Sequence, residues 1–304
     1  MDHFNYQQDI LFAEDVALSD IAEQYGTPSY VYSRATLERH AKAYTESFKS
    51  MNGLVCFSVK ALSNISILKV LKQCGCGFDI VSGGELHRAL LAGADPQKII
   101  FSGVGKSKAE MAAGIKSNIL SFNVESESEL MALEEVAKEL NAIAPVAIRF
   151  NPGVDAGGHE FTKTGRKSDK FGVSINETMR LTDKCIKSNN LNIVGLTCHI
   201  GSQISELEKF KEAAAQSLKL LLDVEKLGAE LNFIDMGGGL GVTYVDEKTV
   251  QPHELIKCYE EIFQGRPERL IVEPGRSISA NAGILLTKVE YKKNNFLITD
   301  AAMN

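Results

Sequence analysis

The 304-residue chain is 44% apolar and 24% charged, the composition of a globular protein with enough chain for a large core and one or two domains. A formal charge of -6 and an isoelectric point near 5.6 leave no basic stripe to neutralise phosphates, which argues against a nucleic-acid partner. The opening residues have no basic and apolar leader pattern and no run of about 18 apolar residues occurs, so no membrane segment is expected and the cytoplasm is the expected compartment.

The first 33 residues read as an extended arm: "DILFAEDVAL", a short helical "SDIAEQYG" stopped by Gly26 and Pro28, then the strand-like "SYVYS". After it a rhythm begins. Apolar strand candidates stand at 54–60, 77–82, 99–103, 119–124, 145–151, 193–200, 233–239 and 270–275, separated by segments of helical period. Capping-box spacing at Ser82/Glu85, Ser107/Glu110, Ser126/Glu129 and Ser205/Glu208 supports the helices, since hydroxyl and carboxylate can satisfy orphan backbone donors reciprocally. The strands are continuous apolar runs, as expected of a parallel sheet covered by helices. Eight such units fit an α/β fold closed into a (β/α)8 TIM-type barrel, with an open doubly wound sheet as the alternative.

One spacer differs from the rest. Residues 152–174, "PGVDAGGHEFTKTGRKSDKFGVS", are polar and glycine-rich without helical period, the composition of a functional loop or lid. After residue 276 the pattern changes to "GILLTKVEYKK" and "NNFLITD", strand-like runs that begin a second architecture. The six cysteines (Cys56, Cys74, Cys76, Cys185, Cys198 and Cys258) include no CxxC pair, so they read as reduced thiols and no metal site is expected.

The strand at 54–60 stops at Lys60. A lysine there can simply mark a solvated strand end, or it can be an amine aimed into a pocket as a nucleophile for a carbonyl. In a barrel, the C-terminal strand ends share one rim, and that rim would carry Lys60, Asp79, Arg149, His199, the run Gly237, Gly238, Gly239, and Glu273. The "MGGGLG" run reads either as a tight turn or as a cradle of backbone N–H groups for a phosphate. In "EPGRS" an acid is held at a strand end before a Pro-Gly turn, or the segment is a surface turn with a local ion pair. His199 can be a structural histidine or a flat partner for a ring, and Glu85 is already accounted for by capping at Ser82. Taken together, an amine, a phosphate cradle, an imidazole face and a carboxylate are what a pyridoxal 5'-phosphate site needs.

The set "FSVKALSN", "FDIVSGGEL", "FSGVGK", "IRFNPGVDAGGH", "TGRKSDKFGV", "CHIGSQ", "GGGLGV", "EPGRS" and "DAAMN" resembles, in order and spacing, the diaminopimelate decarboxylases. These are pyridoxal-phosphate enzymes with an alanine-racemase-like barrel and a β-domain. The resemblance implies a barrel over 34–276, with 1–33 and 277–304 as parts of an incomplete second β-domain. It implies Lys60 as the Schiff-base lysine, His199 as the ring-stacking residue, and Glu273 as partner of the pyridinium nitrogen. Gly237, Gly238 and Gly239, with the backbone of Pro274, Gly275 and Arg276, would bind phosphate, and Arg276 would also meet the substrate carboxylate. Asp79, Ser202, Glu85 and Arg149 would support the site.

The implied reaction is decarboxylation of meso-2,6-diaminopimelate at its D-centre to L-lysine and CO2, the last step of lysine biosynthesis, by a homodimer with shared sites. Alternatives within the resemblance are a decarboxylase for D-lysine, D-ornithine or a carboxylated polyamine such as carboxynorspermidine, and a cofactor-binding but inactive homologue. A Schiff-base aldolase without pyridoxal phosphate would not need the glycine run or Glu273. Two substitutions depart from the family pattern, Leu62 for asparagine and Ala302 for glycine. The family also continues beyond "DAAMN" into a "CESGD"-like motif that none of the six cysteines matches, so a truncated chain, weakly active or inactive alone, is expected.

Overall fold

The computed structural model of the chain describes residues 3–48, 51–155 and 170–302. The arm comprises β1 (Phe4–Gln7), β2 (Ile10–Ala13), β3 (Val16–Ala17), α1 (Leu18–Tyr25) and β4 (Ser29–Tyr32). Strands and helices then alternate: α2 (Arg34–Thr45), β5 (Gly53–Ser58), α3 (Ile65–Gln73), β6 (Gly77–Ile80), α4 (Gly83–Leu91), β7 (Ile99–Phe101), α5 (Lys108–Lys116) and β8 (Ser121–Val124). They continue through α6 (Glu127–Glu139), β9 (Ala144–Arg149), α7 (Ile175–Lys187), β10 (Leu191–Thr197), α8 (Leu207–Glu225), β11 (Phe233–Asp235), α9 (Pro252–Ile262) and β12 (Arg269–Val272). A short α10 (Arg276–Ser279) leads to β13 (Gly283–Leu286), β14 (Val289–Lys293) and β15 (Phe296–Thr299).

Strands β5 to β12 form a closed parallel barrel, and β12 returns to β5 through the pairs Leu270–Gly53, Ile271–Leu54 and Val272–Val55. That closure rules out the open doubly wound sheet. Each of the eight apolar runs coincides with one barrel strand to within one or two residues at its start. The strands end before the apolar pattern does where glycine takes over; the 233–239 run yields only Phe233–Asp235. Alternation explains why the runs are apolar on both faces. Leu54, Cys56, Ile100, Ala147, Val194, Phe233 and Ile271 form one cluster within the barrel, while Val55, Phe57, Phe78 and Ile80 join the surrounding helices in the main core.

The arm and the tail form small antiparallel sheets: β1-β2-β3, β4 with β13, and the exposed hairpin β14-β15. Phe4, Ala13 and Leu18 pack with Val31, Ile284 and Leu286 into a cluster apart from the barrel core. No helix among the described residues is long and apolar enough to cross a membrane.

Three of the four capping signals work, in different ways. Ser107 and Glu110 form the full reciprocal box at α5. Ser82 and Ser126 accept the N–H groups of Glu85 and Glu129, but the two carboxylates reach one residue further back, to the N–H groups of Val81 and Glu125. Ser205/Glu208 does not cap α8, which starts at Leu207 without a side-chain cap. The reason lies one residue upstream: Ile204 is held extended by bridging Leu240, its N–H donating to the Gly239 carbonyl at 2.9 Å. Of the 152–174 loop, residues 156–169 lie outside the described residues, as do Met303 and Asn304 of "DAAMN".

Candidate active site

Every expected site residue except Glu85 follows, ends or lies within a barrel strand at the C-terminal rim. Lys60 sits in a single 3-10 turn, Val59–Ala61, directly after β5. Its Nζ donates to Oδ2 of Asp79 at 2.7 Å, and about half of its side chain remains open at the barrel mouth. Asp79, in β6, is fully buried beneath it and also accepts the Ser58 hydroxyl at 2.9 Å. Burial works against the charge on Lys60, but the Asp79 and Glu273 carboxyls outweigh it and raise the amine above its ordinary pKa. Burial likewise opposes the Asp79 carboxylate, and the neighbouring ammonium overcomes it, leaving Asp79 lowered.

Two cavities of about 180 and 210 Å³ share Lys60, His199 and Glu273 as walls. The first is completed by Asn123, Arg149 and Phe171, the second by Ser202, Gly239, Gly275 and Arg276. His199 follows β10, and its Nδ1 accepts the Gly238 N–H at 3.2 Å, which leaves the ring proton of the neutral form on Nε2. Burial, with the positive charges of Arg149 and Lys60, pushes its pKa down to about 3, so the imidazole is uncharged at neutral pH.

The glycine run divides its work. The Gly237 N–H is engaged by Asp235 at 2.8 Å and that of Gly238 by His199, while Gly239 lines the second cavity. Gly237 adopts a φ of 67°, and a Cβ on Gly238 would fall 2.1 Å from the Glu273 carbonyl oxygen, so neither position accepts a side chain without backbone movement. Arg276 opens α10 and is steadied by the Ser202 hydroxyl at 3.3 Å and the Tyr244 hydroxyl at 2.7 Å. Pro274 stands behind the wall, its carbonyl accepting the Ser58 N–H at 3.1 Å.

Glu273 directly follows β12 and is nearly buried. Burial, then the charges of Asp235 and Asp79, push its pKa well above the ordinary carboxylate value. Its carboxyl shares a hydrogen bond with the Asp235 carboxyl, and Oε1 is buried with no donor group among the described residues. Asp79 Oδ1, with only the Ser102 hydroxyl nearby, is a second buried oxygen without a close donor among the described residues. Orphaned acceptors beside an amine, under an anion-sized chamber walled by Arg276 and Gly275, fit a guest with a carbonyl, a basic ring nitrogen and a phosphate.

Glu85 lines neither cavity; its Oε2 accepts the Val81 N–H at 2.7 Å beside the first cavity, near enough to Asp79 and Lys60 to feel their charges. Behind Arg149 stand residues that the sequence reading did not single out for the site. Arg149 is held by Glu125 at 3.0 Å and lies over the Phe171 ring at 4.9 Å. Glu125 passes to Glu129 through its own N–H, and Glu129 Oε1 meets the buried Lys106 ammonium at 2.6 Å. Asp235 and Glu125, acids at the ends of apolar strands, are the signal that strand reading passed over.

The signature described as "Pyridoxal-dependent decarboxylase, pyridoxal binding domain" matches residues 34–280. The chain is 47% identical over 309 residues to a diaminopimelate decarboxylase of Haemophilus influenzae, covering 100% of this chain and 74% of that protein. It is 48% identical over 308 residues to one from Pseudomonas aeruginosa, again with 100% and 74% coverage. Among solved structures, diaminopimelate decarboxylase from Helicobacter pylori complexed with L-lysine superposes with a TM-score of 0.90 at 40% identity, over 93% of this chain and 73% of that one. Signature, sequence and barrel agree with the amine, imidazole and carboxyl gathered at the rim: the chain belongs to the diaminopimelate decarboxylase family of pyridoxal-phosphate-dependent enzymes.

Proposed function

We propose that the two cavities together receive pyridoxal 5'-phosphate and the substrate, and that the reaction is decarboxylation of meso-2,6-diaminopimelate at its D-centre to L-lysine and CO2. The observation that carries the reading is Lys60, an amine paired with Asp79 at the junction of the two cavities, opposite the unpartnered Oε1 of Glu273. When bound, pyridoxal phosphate supplies an electron sink for the pair left on Cα as CO2 departs.

The chain's own residues supply the rest. Lys60 is the amine that would hold the coenzyme's aldehyde carbon, and Asp79 controls where its proton goes. Glu273 offers Oε1 to a ring nitrogen, a buried and preoriented contact of the kind worth about 3 kcal/mol in a transition state. His199, neutral and fixed through Nδ1, presents a flat face without adding charge. Ser202, Gly239, Gly275 and Arg276 surround the chamber suited to the phosphate, and among the described residues Arg276 and Arg149 are the guanidinium groups lining the cavities that could meet substrate carboxylates. We assign 34–276 to the cofactor-binding unit and 1–33 with 277–304 to a second unit, a division supported by the β4–β13 pairing and the separate apolar cluster. A cytoplasmic homodimer is the setting that the family likeness suggests.

Loading the 304-residue chain with pyridoxal phosphate, trapping with borohydride and mapping the adduct tests the assignment: label on Lys60, lost in Lys60→Ala, is expected. A label elsewhere, or one that survives the substitution, refutes it. Release of CO2 from meso-diaminopimelate but not from D-lysine or D-ornithine sets the substrate.

A further inference from the structure

We propose that Asp235 is a positioning residue, a single carboxylate that fixes the glycine turn behind His199 and the carboxyl of Glu273 so that both groups face the same cavity. The proposal rests on the roles given to His199 and Glu273 above, and it adds a residue that touches neither cavity.

Asp235 ends β11 and is fully buried. A carboxylate there needs partners, and three neighbours provide them. Oδ1 accepts the Gly237 N–H at 2.8 Å, Oδ2 accepts the Thr197 hydroxyl from β10 at 3.3 Å, and a hydrogen bond joins it to Glu273 beyond β12. Three strand ends are therefore tied to one side chain.

The constraint is passed on through the turn. The Gly237 carbonyl accepts the Glu273 N–H at 2.7 Å, the Gly238 N–H holds His199 Nδ1 at 3.2 Å, and Gly238 packs against the Glu273 carbonyl with no room for a Cβ. If the Asp235 contact is lost, the turn is released, and with it both the tilt of the imidazole and the backbone under Glu273.

A hydrogen bond between two carboxyl groups also requires a proton. The charged and titratable groups facing Glu273 are Asp235 from β11, Asp79 from β6, Lys60 from the turn after β5, the thiols of Cys56 and Cys198, Arg149 and His199 across the first cavity, and Arg276 across the second. Lys60 is engaged by Asp79, so the proton of the Asp235–Glu273 pair belongs to that pair. Burial and the two neighbouring carboxylates favour its residence on Glu273, with Asp235 as acceptor.

Two substitutions separate the roles. Asp235→Asn keeps an oxygen for the Gly237 N–H but removes the charge, and Asp235→Ala removes both. Carboxyl infrared difference titration of the chain without coenzyme, assigned with Glu273→Gln, follows Glu273; imidazole nitrogen NMR follows His199. In Asp235→Asn the Glu273 midpoint is expected to fall by roughly one pH unit or more, the size of a close like-charge effect, with the His199 signals unchanged. In Asp235→Ala the Nδ1 resonance should also lose its hydrogen-bonded position.

A Glu273 midpoint unmoved in Asp235→Asn overturns the proposal, as does a parental Nδ1 resonance in a folded Asp235→Ala. Should Asp235→Ala not fold, the asparagine variant decides. These readouts need no coenzyme, so they are independent of the wider reading, which fails instead if borohydride trapping with pyridoxal phosphate labels a residue other than Lys60.

Discussion

Lys106 is the strongest test of how this barrel rim is held together. Its side chain is 1% exposed, and its Nζ donates to Glu129 Oε1 at 2.6 Å, the Gly103 carbonyl at 2.6 Å and the Asn123 carbonyl at 2.7 Å. Lys106→Met keeps the length and fills the space but leaves Glu129 as a buried carboxylate without its counter-charge. Breaking a buried pair from one side costs about 3–5 kcal/mol. Glu129 keeps the Glu125 N–H on its other oxygen, which argues for the lower end, while two carbonyls losing a donor add about 1 kcal/mol each. The expected loss is about 5 kcal/mol, a large part of a domain's stability of about 5–15 kcal/mol. Glu129→Gln should cost about 3 kcal/mol, because the buried Lys106 ammonium loses its counter-charge and an amide oxygen turned to Lys106 leaves the amide NH2 facing the Glu125 N–H. Urea denaturation of both single variants and the double variant is the assay, and a coupling of about 2 kcal/mol is expected. A loss below about 1 kcal/mol for Lys106→Met, or strictly additive variants, would refute the reasoning.

Gly238→Ala places a methyl 2.1 Å from the Glu273 carbonyl oxygen, so the turn must move; a stability loss of about 3 kcal/mol or more and weakened coenzyme titration are expected, and a parental melting temperature would contradict the packing. His199 has a folded pKa of about 3 against about 6.5 unfolded, so its contribution is complete above pH ~6.5 and is lost as pH falls toward 3. In His199→Phe the acid limb should flatten by about 2–3 kcal/mol between pH ~6 and ~4, and parallel stability curves for parent and variant would show that this histidine is not held neutral. Ser107→Ala should cost about 1 kcal/mol because its box is complete, whereas Ser205→Ala should be nearly silent. Equal costs in urea melts would overturn that contrast.

The barrel was legible because a parallel strand buried on both faces leaves a continuous apolar run, and eight such runs were separated by helical spacers. Lys60, His199, Glu273 and Arg276 were legible because a charged or ring side chain directly after such a run is chemically conspicuous. Glu85 illustrates a motif residue read as a helix cap: its carboxylate instead accepts the Val81 N–H at the edge of the site. Asp235 shows the opposite case: one acid inside "FIDM" looks like strand, and its significance lies in contacts to Thr197 and Glu273, distant in the chain. The Glu125–Glu129–Lys106 chain escaped for the same reason, since Arg149 and Lys106 find their partners on another part of the chain, Glu125 just after β8 and Glu129 in α6. The Ser205/Glu208 signal failed because a long-range bridge at Ile204 outranked local capping preference.

Because Lys60, His199 and Glu273 partition one mouth into two chambers, a guest with a planar head and an anionic arm behaves there as a tethered, bivalent ligand. Seating either half raises the effective concentration of the other in the adjoining chamber. A head stripped of its arm forfeits that tether along with the contacts, so its occupancy should collapse multiplicatively, and simple anions should be poor competitors until they reach high concentration.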